Sequence, residues 1–123
     1  MASHYMRCIV KGPFENVFTI LSKAFGNVHT ERFSNSHEPS IGVILGEEYF
    51  FRVNSDVAVL IIVESYSADE TRIEIISCAG GTGLLEISYS AHSAYVNEVK
   101  NFLVSSGLEI KVEEEIPYYR ASH

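Results

Sequence analysis

A chain of 123 residues has room for one domain with its own core and too little for two. Hydrophobic residues at 46% against charged residues at 20% describe a globular chain, and no apolar run reaches the length needed to cross a bilayer. Sixteen acidic against nine scattered basic residues leave a formal charge of −7, which repels polyanions, so no nucleic-acid partner is expected.

The N-terminus shows no basic segment followed by an apolar one, so the expected compartment is the cytoplasm, with no membrane association. Residues 1–5 carry no fold signal and are expected to form a peripheral tail. From Met6 to Lys11 the chain alternates as a first strand, with Met6, Cys8 and Val10 on one face. Gly12-Pro13 ends it. Proline suits the start of a helix, and Phe14, Val17, Phe18, Leu21 and Phe25 then recur at the spacing of one apolar helical stripe. Gly26-Asn27 is a C-terminal stop.

Val28–Phe33 is a strand candidate, and Ser34–Ser40 reads as an irregular polar loop. Ile41–Leu45 and Glu47–Val53 flank Gly46, a pattern that fits either one kinked strand or a tight hairpin. The centre of the chain is Val57–Val63, seven apolar residues of which most are β-branched, too short for a buried helix and suited to a pleated sheet. Joined through Glu64–Thr71 to Arg72–Cys78, it predicts the central hairpin of the sheet. Side chains alternate along a strand, so Val57, Val59, Ile61 and Val63 face one way and Ala58, Leu60 and Ile62 the other. Both faces are apolar. Helices in a two-layer domain cover only one of them, so something else must cover the second.

After Ala79–Gly83, the alternation of Leu84–Ser90 favours another strand over a helix start. Ala91–Val104 predicts the second helix, with Tyr95, Val99, Phe102 and Leu103 inward and Gly107 as its stop. Leu108–Glu115 alternates as a charged edge strand with Leu108, Ile110 and Val112 inward, and residues 117–123 are expected to be a second peripheral tail. The order β-α-β-β-β-β-β-α-β makes a single α+β domain over residues 1–123, a curved antiparallel sheet with two α-helices packed on one face. In outline this resembles the TATA-box-binding-protein-like and helix-grip folds over most of the chain. The resemblance is topological and implies no function.

Candidate chemistry is sparse. Gly80, Gly81, Thr82 and Gly83 lack the Lys-Ser or Lys-Thr pair and the following helix that a phosphate loop needs, and a tight turn explains them. Ser77 and Cys78 beside that loop have no base specified for them. Cys8 and Cys78 read as buried thiols behaving as small hydrophobes. The histidines show no metal-ligand spacing, and the acidic pairs Glu47-Glu48, Asp69-Glu70 and Glu113–Glu115 read as solvated surface. No cofactor and no metal are expected.

The expected function is non-enzymatic: a small binding or interaction protein that self-associates as a dimer by burying the outer face of its sheet, with Tyr49, Phe51, Val57, Val59, Ile61 and Val63 as the interface residues. The alternative is a small apolar ligand held between sheet and helices, its polar mouth formed by Gly80, Gly81, Thr82, Gly83, Ser90 and His92.

Overall fold

In the computed structural model, which describes residues 2–35, 38–50, 55–79 and 85–119, the apolar run Val57–Val63 lies within strand β4 (Ser55–Ser65). It pairs in antiparallel register with β5 (Glu70–Ala79), from Val57 opposite Ala79 to Ser65 opposite Thr71. The remaining elements are β1 (Ala2–Lys11), α1 (Phe14–Phe25), β2 (His29–Asn35), β3 (Glu38–Phe50), α2 (Leu85–Ser105) and β6 (Ile110–Pro117). The sheet runs β2-β3-β4-β5-β1-β6, with every neighbouring pair antiparallel and the β4–β5 hairpin at its centre.

That order explains the helices. In an all-antiparallel sheet, strands separated by one position run parallel to each other, and parallel strands require a crossover connection. β5 and β6 flank β1, so the chain must cross over β1 between them, and α2 makes that crossing. β1 and β2 lie four positions apart and are also parallel, and α1 bridges them. Both helices deliver their buried residues to one core: Phe14, Val17, Leu21 and Phe25 from α1, and Tyr95, Val96, Val99 and Leu103 from α2. The sheet contributes Met6, Cys8 and Val10, then Ile44, then Val57, Val59, Ile61 and Val63, then Ile73 and Ile75. The expected α+β architecture, a curved antiparallel sheet with both helices on one face, is the one observed.

α1 follows the apolar stripe read from the sequence and ends with Gly26 donating its N–H to the Ser22 carbonyl at 3.0 Å. It lies along β3 because Gly42 and Gly46 leave room for it. A side chain at Gly42 would meet the Phe18 ring, and one at Gly46 would meet the Phe25 carbonyl. Over residues 41–50 β3 runs through Gly46 as one strand and not as a hairpin, and residues 51–53 lie outside the described residues.

Four expectations are corrected. Residues 85–90 belong to α2 and not to a strand; six residues of alternation cannot outweigh the need for a crossover. The loop expected over Ser34–Ser40 is a tight connection, with Asn35 paired to Glu38. Residues 2–5 are no tail but part of β1, all paired with β5 and His4 and Tyr5 also with β6, these two being only 2% and 6% exposed. At the other end, the Tyr119 N–H reaches the Ser3 carbonyl at 3.0 Å and its ring stacks on Tyr5 at 4.8 Å, so the described part of the second tail is docked as well. β6 is an edge strand, as expected, and Leu108 and Ile110 pack against the core. Val112 is 37% exposed beside a register shift at Arg7/Cys8.

Candidate functional site

The face of the sheet opposite the helices can be read off the strand registers, because side chains directly opposite one another on neighbouring strands share a face. One row across it is His29–Leu45–Leu60–Ile76–Tyr5–Ile116. The row on one side is Glu31–Val43–Ile62–Glu74–Arg7–Glu114, and the row on the other contains Glu47, Ala58, Cys78 and Ser3. Beyond Glu31 and Val43 come Phe33 and Ile41, with Phe33 51% exposed. The middle of the face is therefore an apolar patch centred on Leu60 and Ile76. Its aliphatic members Ile41, Val43, Leu45, Leu60, Ile62 and Ile76 are half-buried, whereas the inner row of β4 is wholly buried.

Charges surround the patch, and several are already paired within the chain. Arg72 donates to Glu64 at 2.6 Å and stands over the Tyr66 ring, Arg7 donates to Glu113 at 3.3 Å, and the Tyr5 hydroxyl donates to Glu74 at 2.6 Å. Burial, then the Glu74 hydrogen bond and charge, push the Tyr5 phenol up to about 12. An apolar centre with a satisfied polar rim is the layout of a protein interface.

The interface residues named from sequence divide accordingly. Val57, Val59, Ile61 and Val63 lie at 0% exposure beneath the helices, so they cannot touch a partner. The row left outward on β4 is Ala58, Leu60 and Ile62. Tyr49 does lie on the outer face, opposite Asp56, and is 50% exposed. Phe51 lies outside the described residues, as do Gly80, Gly81, Thr82 and Gly83. Ser90 falls within α2 and not at the end of a strand, and His92, expected near the start of the second helix, lies within α2 about two turns from its first residue.

Two polar constellations were missed in the sequence. His4, dismissed as tail, is buried opposite Ser77 on the inner face, and its Nε2 lies 2.6 Å from Glu115 Oε2. A serine, a histidine and a carboxylate on adjoining strands are the residue types of nucleophilic catalysis. Here the serine is at 0% exposure and the histidine at 2%, and the histidine–carboxylate contact ties β6 to β1.

The second constellation lies where α2 meets β3. Glu48 is on the inner face of β3, beside the glycine that admits α1, and Glu98 on α2 hydrogen-bonds to it. Burial first, then the bond and the charge of Glu48, raise the Glu98 carboxyl to about 7. With Ala24, Phe25, Asn27, Glu47 and Tyr95 the pair lines a cleft of about 150 Å³. Two larger clefts, of about 250 and 540 Å³, lie at the β4–β5 turn and are lined mostly by charged and polar side chains such as Lys11, Glu70 and Glu109. Among the described residues no group of three or more His, Cys, Asp or Glu is arranged to hold a metal ion. Both cysteines are free and lie on opposite faces, Cys8 inward and Cys78 outward, so they do not meet. No described helix is long and apolar enough to cross a membrane.

No family model matches the chain, and no curated protein matches it. Among solved structures it is similar to an uncharacterised protein from Bacillus thuringiensis, 12% identical, with 83% of this chain and 97% of that chain covered and a TM-score of 0.41. A likeness of that size assigns no function.

Proposed function

We propose that the protein is a non-enzymatic interaction domain of the cytoplasm that works as a homodimer, with two copies stacking the outer faces of their sheets. The observation that supports it most is the row Leu45–Leu60–Ile76–Tyr5–Ile116, apolar across five strands on the face opposite the helices. Strands lie about 4.8 Å apart and same-face residues about 6.8 Å apart, so the apolar rows span on the order of 300 Å² on each copy. The largest apolar patch on a typical monomer is about that size and is often functional. A second copy is the favoured occupant because Arg7 and Arg72, the arginines beside the patch, are already engaged with glutamates of the same chain. Stacked sheets place such faces roughly 10 Å apart with their side chains interdigitated.

Less supports the alternative of an apolar ligand between sheet and helices. The inner-face residues there are buried against each other at or near 0% exposure, and the cleft at that junction is small and carboxylate-lined.

Sedimentation velocity across micromolar concentrations tests the proposal. A dimer is expected for the wild type, and Leu60→Glu and Ile76→Glu should each give a folded monomer, because a carboxylate at the patch centre would be stripped of water on association. A wild type that stays monomeric throughout, or variants that dimerise as well as it does, would sink the reading.

A further inference from the structure

We propose that Glu48 and Glu98 form a one-proton latch between β3 and α2, closed while the two carboxyl groups share a proton and released when that proton leaves. The argument starts from hydrogen-bond bookkeeping. Glu48 Oε2 is buried and has no donor among the described residues. An ionised carboxylate can only accept, so two ionised glutamates in contact have no hydrogen bond to make and repel each other. One proton changes both terms at once, supplying the donor and removing one charge.

Among the described residues, the lining of the cleft offers no other remedy. From α1 and the turn after it come Ala24, Phe25 and Asn27, from β3 comes Glu47, and from α2 comes Tyr95. None of these is a cation, and Glu47 adds a third acid. The Asn27 amide is engaged with the backbone of Glu47, donating from Nδ2 to its carbonyl and accepting from its N–H, both at 2.8 Å. Tyr95 sits one helical turn before Glu98, is 3% exposed, and has its phenol pushed up to about 12 by burial and then by the charges of Glu48, Glu98 and Glu47, so it stays neutral across the range in which the latch works.

The raised carboxyl of Glu98 sets the direction. A carboxyl that holds its proton more tightly when folded makes the folded state the more protonated one, so stability is greatest at low pH on this account. It falls as pH rises from the ordinary glutamate value of 4.5 towards about 7, and levels off above that. Val96, Val99 and Leu103 hold α2 on the sheet through the core, Tyr95 meets Phe25 of α1 at 6.2 Å, and the glutamate pair joins α2 to β3. Loss of the proton removes that joint and leaves the core contacts in place.

The test compares wild type with Glu98→Gln, whose amide donates to Glu48 at every pH. Between about pH 5 and pH 8 the wild-type Tm should fall by roughly 3–5 °C more than that of the variant, and amides of α2 from 93 to 105 should exchange faster at the higher pH while those of β4 keep their protection. Parallel Tm curves for the two proteins would overturn the proposal, as would equal acceleration in α2 and β4. Should the variant fail to fold, a carboxyl-carbon NMR titration of the wild type decides: a Glu98 midpoint near neutrality supports the latch, and one near the ordinary glutamate value rejects it.

Discussion

The α-carbon of Gly46 is packed against the carbonyl of Phe25, so that the last turn of α1 touches β3 backbone to backbone. Any Cβ at position 46 would occupy the space of that oxygen. Gly46→Ala should therefore cost about 2–4 kcal/mol, at the upper end for a single substitution, because the obstruction is main chain and cannot rotate away. At Gly42 the obstruction is the Phe18 ring, which is only half-buried and can swing aside, so Gly42→Ala should cost less. Urea denaturation of both variants checks the ranking.

Neighbours on β4 should behave oppositely. Ile61→Ala empties a fully buried site beneath the helices and should cost about 2–5 kcal/mol. Leu60→Ala should cost the isolated chain about 1 kcal/mol or less, since its side chain is only partly buried, yet it should weaken association. Chemical denaturation at low protein concentration, paired with sedimentation, separates the two effects. Equal losses of stability at 60 and 61 would contradict the assignment of faces.

Glu115 and Glu114 are adjacent on the edge strand, but only Glu115 satisfies a buried group. Removing its carboxylate strands the His4 imidazole, and Glu115→Ala is expected to lose about 1–2 kcal/mol. Glu114 pairs with Arg7 at 3.5 Å in the open, and Glu114→Ala should change stability by no more than about 0.5 kcal/mol. Denaturant midpoints of the two variants provide the comparison.

Thiol chemistry should distinguish the faces directly. Cys8 is buried, and that burial pushes its thiol up to about 11, so it should resist alkylation in the native protein. Cys78 lies half-exposed in the outer-face patch and should react first. Mass spectrometry after brief alkylation should find one modification, mapped to Cys78, at low protein concentration. The rate should fall as concentration rises and the faces stack.

With each copy carrying a formal charge of −7, dimers should be weakened by mutual repulsion at low ionic strength. Salt screens that repulsion, with a Debye length of about 10 Å at 0.1 M. Association measured by light scattering should therefore increase with added salt. A contact built on ion pairs between copies would show the reverse.

Some of this molecule is written in local order alone. The stripe from Phe14 to Phe25, closed by Gly26, specifies α1 because a helix with one apolar side has a single way to lie on a core. The run from Val57 to Val63 specifies a strand at the middle of the sheet with two apolar sides, because β-branched residues in so short a run fit little else. What that run leaves undecided is which side meets the helices, since a period of two distinguishes the faces without labelling them. The label is carried by Gly42 and Gly46, which share a face with Ile44 and with the Val57–Val63 row, and only a face pressed closely by a helix needs them. Residues 85–90 became helix because the parity of an antiparallel sheet obliges the chain to cross over β1, a demand invisible within the segment. The His4–Glu115 contact spans 111 residues and the Glu48–Glu98 pair joins a strand to a distant helix. Such meetings depend on register and packing direction, which the folded sheet sets and no window of sequence contains.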